Sequence, residues 1–491
     1  MHSPSGNGTG LADRLIVRIW PTPATTIAER TRRRISLHLL PFLFFLYILA
    51  YLDRVNVSVA ALDMVRPVEE GGLGFTLDIV GFGAGMFFWG YWILEIPSTL
   101  SVSRWGARWV FVRILVLWGL CAALVGGIGT PLAAYLFGWL PHIPEPSGGI
   151  DLLSRTAHFF NGLSEEAAYQ FYFLRFMLGF FEGGFFPSVI VYLSYWFRQE
   201  DRAKAIAGFM SAIPLSSALG VPISGQLLKI NWLGLPGWRW IFILQGVAPM
   251  LAGIATLFLL PDLPSKARWL PAAERDWLLG ELERERQSKK TTGHLAWLNH
   301  LGGVVMLTIV YFCLNLPSYG LSMFMPAIIK SQSGLSSESA SLLAAIPYGL
   351  GFLAMYVNGW HSDRTNERPW HVAVPLICLS LSIFLAALLD GAGWWPVLVI
   401  VFLVGPSMYA HLPAFWPIPT MFLGAISAAS AIGFINMIGN LGGGVGPTLV
   451  GNAAKDQAGF AAALKTIAPW PLLAAIVILI MGYTRRRKRS A

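Results

Sequence analysis

The amino-acid sequence predicts an all-α polytopic membrane protein whose twelve transmembrane helices form two pseudo-symmetric six-helix bundles. Three observations carry that expectation. Of 491 residues, 55% are hydrophobic and only 12% are charged, against roughly 25% charged in soluble domains. Apolar runs long enough to cross a bilayer recur along the chain with short polar connections. One long charged segment, 261–297, separates them into two sets of six.

The first set is expected at about 35–62, 79–101, 108–128, 169–194, 203–228 and 238–260. The second set follows at about 299–326, 338–359, 371–389, 394–412, 419–450 and 460–483. The predicted organisation is therefore a cytoplasmic segment 1–34, a first bundle 35–260, a cytoplasmic linker 261–297, a second bundle 298–484 and a basic tail 485–491. Residues 129–168 read as an outside loop lying against the membrane. Their four prolines and an apolar stretch too short to span, 132–140, exclude another crossing.

Alternate connections carry the basic residues: Arg30 to Arg34, Arg104/Arg108/Arg113, Arg198/Arg202/Lys204, the 261–297 segment, Arg364/Arg368 and the tail. The positive-inside rule places both termini and the linker in the cytoplasm, with the chain in the cell membrane. The first apolar run lacks a cleavage site and is too long for a signal-peptide core, so the helix is expected to be retained. The net charge of +9 follows from this topology and does not mark a nucleic-acid surface. Cys121, Cys313 and Cys378 sit within apolar runs, without metal-ligand or disulfide spacing. Glycine, 51 residues, and tryptophan, 20 residues, suit close helix contacts and interfacial anchoring.

Charge inside the spans points to chemistry. In the first, Tyr47, Tyr51, Arg54 and Ser58 fall on one helical stripe, with Asp53 about 100° to one side. A charge in a membrane helix is expensive unless it faces partners or water, so this stretch reads as cavity-facing. The competing reading, Arg54 snorkelling from a helix end, leaves the two tyrosines unexplained. In the fourth span Arg175 and Glu182 are two turns apart and share a face. Desolvation favours the neutral form of a carboxylate and a nearby cation the charged form, so such a group can load and release a proton as a cavity opens. A fixed ion-pair network locking helices together is the alternative. A guanidinium presents a planar fork suited to a substrate carboxylate.

Further polar positions are Tyr91 and Glu95 on the second span, Asn315 and Tyr319 on a seventh span expected to break at Pro317, and Asn436 and Asn440 on the eleventh beside three glycines. The amides either contact substrate or hydrogen-bond between helices. Two related loops, with Arg104, Gly106 and Arg108 after the second span and Asp363 and Arg364 after the eighth, suggest a duplicated architecture and gating roles.

The motifs Tyr51-Leu-Asp53-Arg54-Val-Asn56-Val-Ser58, Arg175-Phe-Met-Leu-Gly-Phe-Phe-Glu182-Gly-Gly-Phe-Phe-Pro187, Tyr319-Gly-Leu, Ser362-Asp363-Arg364 and Phe434-Ile-Asn436-Met-Ile-Gly-Asn440-Leu-Gly-Gly resemble those of the major facilitator superfamily. The similarity is to its anion:cation symporter family, in the bacterial tartrate/phthalate/hydroxyphenylacetate-type branch, and extends over nearly all of 30–484. It implies two bundles rocking about a central cavity and importing an organic anion with protons. It places proton coupling on Asp53 and Glu182, the anion on Arg54, Arg175 beside the coupling glutamate, and Tyr91 and Asn440 in the substrate site. Two departures stand out. Ser103 replaces the aspartate usual in the first loop, and Ile213-Pro214 stands where a sugar-acid transporter would offer an amide.

The expected function is proton symport of a small carboxylate, tartrate-, phthalate- or hydroxyphenylacetate-like. Export or uniport of an amphipathic compound and a transporter-like anion sensor are the alternatives. An enzyme is not expected, since HExxH, GxSxG and P-loop patterns are absent. No cofactor or metal is expected, with protons as the coupling ion and sodium left open. The expected partners are the organic anion and the lipid bilayer, and the chain is expected to be a monomer.

Overall fold

The computed structural model describes residues 26–137, 166–288, 296–423, 425–455 and 459–490. Among them every regular element is helical. Ten helical stretches have the length and hydropathy to cross a membrane. The fifth and eleventh crossings are each built from two shorter helices end to end, Gln199–Met210 with Ala212–Leu227 and Ala425–Gly439 with Leu441–Ala454.

The first helix starts at Ile27 rather than at residue 35, because Thr26 and Glu29 cap it reciprocally. It continues to Met64, so Arg30 to Arg34 belong to the helix. The second, Leu77–Trp105, and third, Ala107–Val125, meet at Gly106. The fourth crossing is interrupted between Glu182 and Phe185, where Gly184 has φ +86° and a Cβ would collide with Ser98. The seventh, Leu301–Ser333, runs unbroken through Pro317, which corrects the expected discontinuity there. Neighbouring helices tolerate a proline inside a membrane crossing by satisfying the freed backbone group. The irregular element of this half is the tenth crossing, where Trp395–Val399, a π-helical turn over Ile400–Val404, Gly405–Ala410 and Leu412–Phe415 succeed one another. The twelfth extends as helix to Ser490, so residues expected as a separate tail continue that helix.

Between the bundles, Ala272–Ser288 forms a helix docked on the first half. Glu274 bonds Arg34 at 3.1 Å and Glu285 pairs with Arg202 at 3.6 Å. This linker end of the molecule also holds the start of the first helix. Of the 129–168 connection only residues 129–137 and 166–168 are described, including a short helix Pro131–Phe137. The rest of the expected outside loop lies outside the described residues.

The two halves meet along the second and eleventh crossings, the fifth and eighth, and the first and seventh. Gly81 lies against the Pro447 carbonyl and Gly85 against that of Gly444, so neither position has room for a Cβ. Away from the linker, one apolar cluster joins the halves, including Val59, Leu62 and Trp238 of the first with Phe324, Ile328 and Tyr348 of the second. Toward the linker the apolar cores separate, one drawn almost wholly from the first half and one from the second. Polar contacts also tie the remote end: Ser337 to Asp63 at 3.5 Å, and Lys455 to Asp78 at 3.8 Å.

Candidate functional site

The separation of the cores leaves three adjoining cavities at the bundle interface, all three lined by Tyr51 and linked pairwise by Arg54, Tyr319 and Met210. The roomiest takes in about 520 Å³ of space outside atoms, part of it open to solvent.

Arg54 stands at the junction. Its Nε and Nη2 both donate to Glu182 Oε1, at 3.1 and 2.5 Å, and Nη1 reaches the Tyr319 hydroxyl of the other half at 3.5 Å. Its guanidinium lies 4.7 Å from the centre of the Tyr51 ring and 5.2 Å from those of Phe87 and Tyr91. These aromatic faces stabilise a cation where water is scarce. Glu182 is fully buried, and its Oε2 has no hydrogen-bond partner among the described residues. That oxygen is available to a proton, while the other holds the arginine.

Asp53 is also fully buried but faces away from Arg54. Its carboxylate accepts the Trp118 indole N–H from the third helix and the Asn56 amide at 3.1 Å. Arg175 donates Nη1 to the Asp53 backbone carbonyl at 3.3 Å and lies 5.3 Å from the Phe87 ring. The resemblance placed Arg175 beside the coupling glutamate, and in the structure it lies within electrostatic reach of Glu182. Arg54 makes the hydrogen bonds to that carboxylate, while that of Arg175 goes to the backbone of the first helix.

The other anticipated residues fall into groups. Tyr47, Tyr51, Tyr91, Tyr319, Asn315, Asn436 and Asn440 all line the cavities. Ser58 does not: it is buried and bonds the Val55 carbonyl. Asn315 donates to the Gly439 carbonyl at 3.2 Å and to Asn440 Oδ1 at 3.4 Å, fixing the break of the eleventh crossing. Asn436 donates to Glu95 at 2.7 Å, linking a carboxylate of the first half to an amide of the second.

In the first loop, Gly106 adopts φ +84° and packs on Asp262. The Arg108 backbone N–H donates to Asp262 Oδ1 at 3.0 Å, and Arg108 Nε bonds the Leu260 carbonyl at 3.0 Å. Asp262, at the end of the sixth helix, thus brings a carboxylate to a loop whose own sequence has Ser103. Arg104 is exposed. In the second loop, Asp363 pairs with Arg368 at 2.6 Å and Arg364 lies over Trp360.

Sequence reasoning missed several contributors. Trp118 is one apolar-looking residue in an apolar helix, and only the fold shows its indole aimed at Asp53. Met210, Met408, Tyr409, Leu412 and Trp416 line the cavity from the fifth and tenth crossings. A π-turn and prolines hide the periodicity of the tenth.

The chain matches the family model described as Major Facilitator Superfamily over residues 43–447. A relative from Agrobacterium vitis named "Putative tartrate transporter" is 37% identical over 93% of this chain and 96% of its own. A "Quinolone resistance transporter" from Acinetobacter baumannii is 30% identical over 93% of this chain and 96% of its own. Among solved structures, a bacterial homolog of the human lysosomal transporter Spinster, in an inward-facing and occupied conformation, superposes with TM-score 0.66 at 16% identity. That superposition covers 91% of this chain and 97% of the other.

Proposed function

The chain belongs to the major facilitator superfamily, and from that premise we propose that it imports a small organic anion by proton symport and alternating access. The observation that carries the reading is that Arg54, which lines the central cavity, is held by the fully buried Glu182. An anionic substrate and the Glu182 carboxylate are rivals for one guanidinium. Protonating Glu182 ends its claim on Arg54, and Arg54 then takes the substrate carboxylate through its planar fork. Proton and anion therefore bind cooperatively, which is the thermodynamic core of symport. Asp53, held by Trp118 and Asn56 one residue from Arg54, is the second proton-carrying candidate.

With both termini and the linker in the cytoplasm and the protein in the cell membrane, the arrangement described is inward-facing. The halves are joined at the outer end and their cores are apart at the inner end. Release inward leaves Arg54 free to recapture Glu182, which expels the proton. The chain acts as a monomer with protons as its coupling ion and needs no cofactor. A transporter rather than an enzyme fits the relatives.

Export is the second reading, favoured by the name of the quinolone resistance relative. Uptake of labelled organic acids into proteoliposomes, with the proton gradient imposed in either sense, separates the two. Accumulation driven only by protons moving with the anion supports symport. Accumulation driven by protons moving the opposite way supports export by exchange.

A further inference from the structure

Resting on alternating access as proposed above, we infer that Glu95 is a charge-dependent latch between the halves. Ionised, it holds the linker-side piece of the eleventh crossing on the first bundle; protonated, it lets that piece go. Three observations carry this.

The first is where the contact sits. The second and eleventh crossings run antiparallel, and their close approaches form a ladder. Leu77 meets Gly451, Gly81 meets Pro447, Gly85 meets Gly444, Phe88 meets Gly443, and Glu95 meets Asn436. The rungs away from the linker set glycine against backbone or an aromatic ring, contacts without a titratable group. The rung nearest the linker is polar: a carboxylate of one half accepts an amide N–H of the other at 2.7 Å.

The second is a break in the ladder. Between the Gly443 and Asn436 rungs one helix ends at Gly439 and the next begins at Leu441. Leu441–Ala454 packs closely along the second helix. Ala425–Gly439 instead packs mainly on the seventh helix of its own half and meets the second helix sparingly. The Glu95–Asn436 bond thus ties to the first half a piece that otherwise belongs to the second, just beyond a joint.

The third is the setting of the carboxylate. Glu95 is 3% exposed and lies one turn beyond Tyr91 on the second helix. Among the described residues, the titratable groups within its electrostatic reach are Arg54 of the first helix, Tyr91 of its own and Tyr311 of the seventh. Arg54 therefore acts on Glu182, which it bonds, and on Glu95, which bonds the other half. An anion on Arg54 cancels the charge that Glu95 faces, so substrate and latch share one cation. An ionised carboxylate accepts the Asn436 N–H in a charge-assisted bond, roughly twice as strong as the neutral bond left after protonation. The bond is made in the arrangement closed away from the linker, so its extra strength favours that arrangement at high pH and is lost as pH falls. Glu95 is a positioning residue for the rocking of the halves.

The test uses the full-length protein in lipid nanodiscs without substrate, with Cys121, Cys313 and Cys378 replaced by alanine. Spin labels are placed at Val68 and Ala392, exposed positions on the two halves at the end away from the linker. Electron–electron double resonance across a pH series reads the populations closed and open at that end. The background carries Glu182→Gln, so that titration of the coupling carboxylate does not contribute. Lowering the pH is expected to raise the open-to-closed ratio by about fivefold to tenfold, the difference between a charge-assisted and a neutral hydrogen bond. Glu95→Gln is expected to show the raised ratio at every pH. Asn436→Ala, which keeps the carboxylate and removes its partner, is expected to do the same, and the double variant to add nothing. Distances independent of pH, a Glu95→Gln protein that keeps the pH response, or additive effects of the two substitutions overturn the latch. Because no anion is present, those results leave the symport reading untouched, and failure of proton-driven uptake leaves the latch standing.

Discussion

Arg54 closes on Glu182 through two nitrogens that share one carboxylate oxygen, at 3.1 and 2.5 Å, while the other oxygen of that carboxylate has no partner among the described residues. The pair ties the first helix to the interrupted fourth crossing next to the space open to substrate. In the proposed symport it gives one guanidinium two anionic claimants, whose competition would couple proton to anion.

The first prediction concerns the pair itself. Glu182→Gln leaves Arg54 permanently available, so anion exchange continues while a proton gradient no longer drives accumulation. Arg54→Lys keeps the charge and loses the fork, and is expected to weaken anion binding by about 2 kcal/mol, roughly thirtyfold. Counterflow and gradient-driven uptake, measured side by side, check both.

Trp118 supplies the second. Trp118→Phe keeps a ring against Phe185, whose centre lies 5.9 Å away, and removes the N–H that Asp53 accepts. Losing a hydrogen bond to a charged group costs about 1.5–3 kcal/mol, so the melting temperature in detergent falls. Trp118→Ala adds a cavity and falls further, by about 3–5 kcal/mol in all.

The Glu95–Asn436 contact is the third. It crosses between the halves at 2.7 Å with both side chains buried. A double-mutant cycle with Glu95→Ala and Asn436→Ala, read by thermal unfolding, is expected to give a coupling energy of about 0.5–3 kcal/mol. Glu95→Gln, which preserves hydrogen bonding, stays near the wild type in stability.

Gly106 is the fourth. Its φ of +84° and its contact with Asp262 both exclude a side chain. Gly106→Ala is expected to cost about 1–3 kcal/mol for its glycine-only backbone (φ +84°, ψ +149°) alone, seen as a lower melting temperature and slower transport. Asp262→Ala relieves the crowding but not the backbone strain, so the double variant recovers only part of the loss.

The chain displays its fold and part of its site openly, for reasons that differ residue by residue. Hydropathy located the crossings because a bilayer demands about twenty apolar residues per helix, and it counted the fifth and eleventh even where Ser211 and Asn440 mark breaks. Charge inside apolar runs flagged Asp53, Arg54, Arg175, Glu182 and Glu95, since such residues are rare there without a role. Pairing was not legible. The two-turn spacing put Arg175 near Glu182, where electrostatic coupling finds it, but the hydrogen-bond partner of that carboxylate, Arg54, comes from a different helix. Trp118, Met408 and Trp416 carry no charge and lie in apolar sequence, so only tertiary packing distinguishes them from lipid-facing residues. Asp262 is remote in sequence from the loop it serves.

The central claim is that a proton on Glu182 and the anion on Arg54 bind as linked events. It is tested most directly by the affinity of the purified protein for a transported acid, measured by calorimetry across a range of pH. If binding takes up one proton, affinity falls as pH rises, approaching tenfold per pH unit where the free protein is deprotonated, about 1.4 kcal/mol each. The account predicts that slope for the wild type and a markedly shallower one for Glu182→Gln. Equal slopes in the two proteins, or a wild-type affinity independent of pH, would contradict it.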